Sequence, residues 1–159
     1  SYTGLRIGSS TAKGLCYALD IPLITVSTLE AMAIQIVSKT GDPTDLFCPM
    51  IDARRMEVFT GIYTFQGANV LPVQPVIIGN DTFAEFFNTN VKLHLFGNGA
   101  DKCRGVINED AIFINDIHPS AESIGKLAYK KFLIKEFENA AYFEPFYLKE
   151  FYTTAKRMN

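Results

Sequence analysis

Two histidines, three cysteines and one glycine-rich turn are the residues of this chain whose types could carry chemistry. A serine or cysteine nucleophile needs a base within hydrogen-bond reach and an acid that orients the base. His94 falls in a strand-like run and His118 just ahead of a helix cap, far apart in sequence. Neither marks a triad, and an ordinary core or surface histidine is the better reading of each. A metal centre calls for ligands at paired spacing. The histidines have no such partner, and Cys16, Cys48 and Cys103 are odd in number and widely separated, so they read as inert thiols of a reducing compartment. Gly97-Asn98-Gly99-Ala100 stands where a strand turns into a short helix, a place where backbone amides can face a phosphate. Alone, that signal is weak. Asp52, Arg54, Arg55 and Glu57 flank a turn between two strand-like runs and read as an ion network that fixes a hairpin, in preference to a catalytic group.

Composition narrows the classes further. The chain has 159 residues, 48% of them hydrophobic, enough for one ordinary domain or two small lobes with a real core. Its 15 basic and 17 acidic side chains leave a net charge of −2, so no strong electrostatic footprint for nucleic acid is expected. Only Lys149 to Arg157 is locally basic, and such a tail is read as solvated. No signal peptide or membrane span is evident, which argues for a cytoplasmic protein. The chain opens on a helix without an initiator Met, which is read as a cut in a longer protein.

The elements that position these residues follow in order. Ser1 to Leu23 reads as one helix with Thr3 as N-cap and Asp20 with Pro22 as the stop. Within it Gly4, Gly8, Ala12 and Cys16 recur every fourth residue, giving a face of little bulk. Glycine inside a helix costs about 1 kcal/mol relative to alanine, so two of them one turn apart point to close packing against another element. That element is either the chain's own sheet or a second polypeptide. Leu23 to Val26 is a strand-like run, and Ser27 with Glu30 makes a capping box for a helix burying Leu29, Met32, Ala33, Ile36 and Val37. Thr40-Gly41-Asp42-Pro43 ends it, and the junction between residues 1–40 and 41–159 is placed there.

Leu46–Asp52, Glu57–Phe65 and Val70–Ile78 form an expected antiparallel meander. Pro72 and Pro75 make the third run an edge strand, or one that starts only after Pro75. A helix capped by Asn80 or Asp81 follows, with Phe83, Phe86 and Phe87 on its buried face. Next come a strand at Leu93–Phe96, a strand at Ile112–Ile114, and a long helix opened by Pro119-Ser120 with Ile124, Leu127, Ala128 and Phe132 as its core stripe. The aromatic tail Tyr142 to Leu148 is expected to pack back on the body. Residues 46 to 137 thus spell βββαβαβα, the order of a ribonuclease-H-like lobe in the α/β class, and residues 4 to 38 spell the αβα that closes such a lobe. An actin-like, Hsp70-like protein of two duplicated lobes, lacking the opening strands of the first, explains both, with an unrelated α+β domain as the rival reading.

Six stretches in this order resemble the TsaB (YeaZ) family: Ser1-Tyr2-Thr3-Gly4-Leu5-Arg6-Ile7-Gly8 with Ala12-Lys13-Gly14-Leu15; Ile21-Pro22-Leu23 before Val26 to Ala31; Asp52-Ala53-Arg54-Arg55 before Glu57-Val58-Phe59; Gly97-Asn98-Gly99-Ala100; Pro119-Ser120-Ala121; and Pro145-Phe146-Tyr147-Leu148. The resemblance implies the actin-like fold and a part in threonylcarbamoyladenosine synthesis on tRNA. Family members begin with a strand-rich segment ahead of Ser1, so it also implies a fragment. It further implies a non-catalytic subunit that docks on the catalytic protein TsaD through helices of the first lobe, with Gly4, Leu5, Gly8, Ala12 and Cys16 on the contact. TsaE is a further candidate partner, and self-association is expected of the isolated chain. The older label of the family is glycoprotease-like peptidase. That activity, or an actin-like ATPase, is the alternative reading, and a homodimeric interaction module with another partner is a third. TsaD's metal is held by two histidines one helical turn apart, which this chain lacks. Actin-like ATPases need a glycine-rich phosphate loop at the hairpin that here reads Asp52-Ala53-Arg54-Arg55. No cofactor is therefore expected, with ATP or ADP only at the interface with the partner.

Overall fold

The computed structural model describes residues 2–40, 42–87 and 91–149. Its centre is a five-stranded mixed sheet of β1 (Leu46–Asp52), β2 (Glu57–Thr64), β3 (Asn69–Ile77), β4 (Leu93–Phe96) and β5 (Ile112–Ile114), in the order β3-β2-β1-β4-β5. β1, β2 and β3 are the antiparallel meander, and β4 and β5 add in parallel on the other side of β1. This is the actin-like, ribonuclease-H-like order. The central place of β1 accounts for its apolar run: Phe47, Cys48, Pro49 and Met50 are all buried. β3 lies at the edge, where its prolines leave no neighbouring strand unpaired. It is paired from Asn69 onward, so the alternative of a start after Pro75 does not hold.

The sheet alternates its side chains between two cores. Cys48, Met50, Val58, Ile62, Leu93 and Leu95 pack with Phe83, Cys103 and Ile107 on one face. Phe47, Tyr63 and Phe96 pack on the other, against α2 (Thr28–Thr40) through Leu29, Met32, Ala33 and Ile36. The boundary placed after residue 40 therefore separates in sequence two elements that share one core in space. α2 is capped by Ser27, whose hydroxyl accepts from the Glu30 amide at 3.5 Å. Gly41 lies outside the described residues.

Four expectations need correction. The first helix, α1 (Tyr2–Leu19), already contains Thr3, which is therefore no N-cap. Its end is as expected: Asp20 takes φ 51° and the Ile21 amide reaches back to the Cys16 carbonyl at 3.1 Å, the left-handed stop that closes a helix. Leu23–Val26 is not a strand, because a strand needs a ladder and its one bridge is Leu23 with Glu138. The helix after β3 shrinks to α3 (Ala84–Phe87), preceded by a turn in which the Gly79 amide donates to Thr82 Oγ1 at 2.8 Å. In α4 (Ala121–Leu133), capped by Ser120, only Ser123 and Leu127 are buried. Ile124 and Phe132 of the expected stripe face solvent, 37% and 50% exposed. The step between β4 and β5 is a 3-10 turn at Asp101–Cys103. Among the described residues no helix is long and apolar enough to cross a membrane.

Candidate functional site: a polar cleft, a clamped hairpin and an open helix

Three features gather the residues singled out in the sequence. The first is a cleft of about 470 Å³ beyond β4 and β5, lined by Gly97, Asn98, Asp101, Arg104, Asn115 and His118 among others. In open α/β sheets ligands bind past the carboxyl ends of the parallel strands, which is where this cleft lies. The turn that forms its wall is pressed on the end of β1. Gly97 has φ 99°, and a Cβ built there would stand 2.3 Å from the Met50 carbonyl oxygen. The Gly99 amide donates to that carbonyl at 3.1 Å, the Ala100 amide to Gly97 at 3.0 Å, and Asn98 Oδ1 accepts from the Asp52 amide at 3.0 Å. Close backbone approach explains the glycines, and two amides of the turn are already committed inside the chain. Arg104 Nη2 donates to Asn115 Oδ1 at 2.5 Å with its guanidinium 4.4 Å from the Phe113 ring, so this cation is held as part of the wall.

The second feature is the β1–β2 hairpin. Asp52 and Glu57 do form ion pairs, but with Lys102 and Lys149 and not with the two arginines. Lys102 Nζ bonds the Asp52 carboxylate and the carbonyls of Arg55 at 2.7 Å and Glu57 at 2.6 Å, clamping the hairpin to the 3-10 turn. Arg54 contributes its amide, which donates to Asp52 Oδ1 at 2.9 Å. Sequence reading missed Lys102 because nothing local marks it. The Lys102 ammonium, and after it the Arg54 amide, hold the Asp52 carboxyl below its usual range. A depressed carboxyl stabilises the fold above its ordinary pKa, and the contribution disappears as pH falls through the lowered value. A carboxyl-carbon NMR titration is therefore expected to place the Asp52 midpoint below that of a free aspartate, and Lys102→Met to raise it.

The histidines are not brought together. His118 lines the cleft, its carbonyl accepting from Gln35 Nε2 at 3.0 Å. His94 is buried, with Nε2 2.7 Å from Asp45 Oδ2, its ring stacked on Phe47 at 5.5 Å, and Nδ1 without a partner. No hydrogen bond joins either imidazole to a serine or cysteine among the described residues. Burial pushes the Cys48 thiol up to about 12 and the Cys103 thiol to about 11, so both stay protonated. Among the described residues no group of three His, Cys, Asp or Glu side chains is placed to hold a metal.

The third feature is α1, of whose eighteen residues none is buried. At 100° per residue Gly4, Gly8, Ala12, Leu15 and Leu19 fall within an arc of about 80°. Around Gly8 nothing stands within 4 Å of a built Cβ, Leu15 and Leu19 are 55% and 63% exposed, and Leu5 lies beside them, also exposed. Ala12 and Cys16 are half-buried, the Cys16 thiol 3.7 Å from the Pro22 carbonyl. The opposite side holds the chain's tail. Arg6 Nε donates to Tyr147 Oη at 3.3 Å, Tyr2 and Tyr147 rings lie 4.9 Å apart, and Lys13 Nζ donates to the carbonyls of Ala141 and Phe143. The aromatic tail thus packs on α1, though Tyr142 and Phe146 remain exposed.

Comparison with known proteins places this arrangement. The family model described as "TsaD: tRNA N6-adenosine threonylcarbamoyltransferase" matches residues 1–153. The chain is similar to the tRNA threonylcarbamoyladenosine biosynthesis protein TsaB of Bacillus subtilis (strain 168), 41% identical over 83 residues, or 50% of this chain and 34% of the relative. It is 43% identical over 63 residues to the TsaB protein of Escherichia coli (strain K12), 40% of this chain and 26% of that one. The matched stretches thus span about a third of these relatives or less. Among solved structures, YeaZ from Pseudomonas aeruginosa superposes with a TM-score of 0.75 at 26% identity, covering 93% of this chain and 69% of that one. A Pseudomonas aeruginosa protein described as uncharacterized, with similarity to peptidase YEAZ, gives 0.74 at 25% identity, covering 94% and 69%.

Proposed function

The chain belongs to the TsaD family and, within it, to the TsaB (YeaZ) group, and from that membership we propose that it serves tRNA threonylcarbamoyladenosine formation as a non-catalytic subunit that docks on TsaD. The observation that carries the proposal is α1: a helix with no buried residue whose low-relief apolar stripe faces away from the chain's own tail. Small residues let a second helix approach closely, which increases dispersion contact and excludes water. The stripe suits a helix of the partner. The buried, protonated thiols and the unlinked histidines support a binding role over a hydrolytic one. ATP or ADP is assigned only to a cleft that the partner completes, since the Gly99 and Ala100 amides of the turn already serve the fold.

Gly8→Leu is the direct test, because the empty space around Gly8 lets the substitution leave the chain's own packing alone. Binding of purified TsaD to the full-length protein is expected to weaken by at least about tenfold, with an unchanged circular dichroism spectrum. Ala12→Phe should act in the same direction. Wild-type affinity in both variants would reject the docking on α1, and ATP turnover or peptide cleavage by the purified protein alone would reject the non-catalytic role.

A further inference from the structure

α1 is a weak helix by its own chemistry. Gly8 and Gly14 stand in its interior, each costing about 1 kcal/mol relative to alanine. Its first turn carries no acid and its last turn no base to oppose the helix dipole. Helices in proteins draw most of their stability from a packed face, and α1 buries no residue. What lies along it is the tail. Just past the helix end, the Glu138 amide donates to the Leu23 carbonyl at 2.8 Å and the Glu138 carboxylate accepts from Thr25 Oγ1 at 2.8 Å. Farther along, the carbonyls of Ala141 and Phe143 accept from Lys13, and Tyr147 meets Arg6 and Tyr2 on the first turns. The contacts run in opposite order along the two segments, so the tail lies antiparallel to the helix. From Tyr142 to Tyr147 exposed and half-buried residues alternate, with Phe143, Pro145 and Tyr147 on the inner side, the pattern of an extended segment laid on a surface.

Both ends of the tail are tied to the body. It leaves α4, which packs against α2, and at its far end Lys149 pairs with Glu57 of β2 and stands 5.7 Å from the Phe59 ring. We propose that this strap, Glu138 to Lys149, positions α1 for docking: it keeps a weak helix formed and in one place relative to the sheet, so that the partner meets an ordered surface. Tyr2, Arg6 and Lys13 fall on the side of the helix away from the Gly8 stripe, so the strap orders the helix without covering the stripe. A partner that recognises one arrangement binds more weakly in proportion to the fraction of molecules that adopt it, and ordering a loose segment on binding lowers affinity. Lys13 and Tyr147 are thus positioning residues that act on the partner through α1. The inference rests on the partner-subunit reading and adds what makes its surface competent to bind.

The test compares two variants of the full-length protein. Lys13→Met with Tyr147→Ala releases the strap, whereas Lys13→Arg with Tyr147→Phe keeps the cation and the ring. Amide hydrogen exchange is followed over residues 2–19 and over β1 and β2, together with the dissociation constant for purified TsaD. The releasing variant should exchange at least about tenfold faster in α1 with the sheet unchanged, and its dissociation constant should rise about tenfold. The conservative variant should stay close to the wild type in all three. Unchanged exchange in α1, equal acceleration in the sheet, or faster exchange in α1 with wild-type affinity would each overturn the inference, while Gly8→Leu decides the docking itself. A wild type that binds no TsaD would defeat both.

Discussion

Gly97→Ala is expected to destabilise the protein by about 3–5 kcal/mol, a large part of the 5–15 kcal/mol that holds a typical domain together. Two effects combine. The left-handed φ of 99° costs a residue with a Cβ about 1–2 kcal/mol. The added carbon would also overlap the Met50 carbonyl oxygen at 2.3 Å and Met32 Cε at 2.7 Å. The methionine tip can move aside, but the carbonyl belongs to the central strand and accepts the Gly99 amide. Relief therefore means moving the turn off β1, which adds a few kcal/mol as overpacking does. Gly67→Ala is the control: its φ is 84°, yet nothing stands within 4 Å of the new carbon, so only the conformational cost of about 1–2 kcal/mol remains. Urea denaturation of the two variants should show a much lower midpoint for Gly97→Ala, and equal midpoints would remove the close-approach explanation of the turn.

Asp45→Ala is expected to cost about 2–3 kcal/mol, the usual penalty for leaving a buried group without its hydrogen bond to a carboxylate. Asp45 and His94 are each about one-twentieth exposed and joined at 2.7 Å, and the imidazole already carries one unpartnered nitrogen. Without the carboxylate both nitrogens are buried unpaired. His94→Phe places a ring of similar shape over Phe47, where the imidazole now stacks at 5.5 Å. Combined with Asp45→Ala it should recover part of the loss, because an apolar pair leaves no group unsatisfied. Equilibrium unfolding of both single variants and the double variant closes the cycle. A double variant as unstable as the sum of the singles would show that the two residues act independently.

What could be read in advance follows from how local the cause is. β1, β4 and β5 occupy the residues their apolar runs indicated, and Ser27 caps α2 as its spacing suggested; each signal lies within a few residues. Leu23–Val26 looked like a strand because its composition is strand-like, but strandness depends on a neighbour, and only Glu138 supplies one. The α4 stripe failed at Ile124 and Phe132 because periodicity identifies an apolar side and not what covers it. Asp52 and Glu57 read as members of a local network with Arg54 and Arg55, whereas their cations come from Lys102 and Lys149, 50 and 92 positions away. Asp45 is a comparable case. Its partner became visible only through the parallel register that sets Phe47 beside His94.

The central proposal is that this protein serves by docking on a partner and not by chemistry of its own. Its most direct measurement is the yield of threonylcarbamoyladenosine on tRNA from TsaD, from the full-length protein, and from the two together, with wild type and Gly8→Leu side by side. The account predicts no product from the protein alone, a rise in the yield of TsaD when it is added, and loss of that rise in Gly8→Leu in step with loss of binding. Product formed by the protein alone, or a rise that persists in a variant that no longer binds, would contradict it.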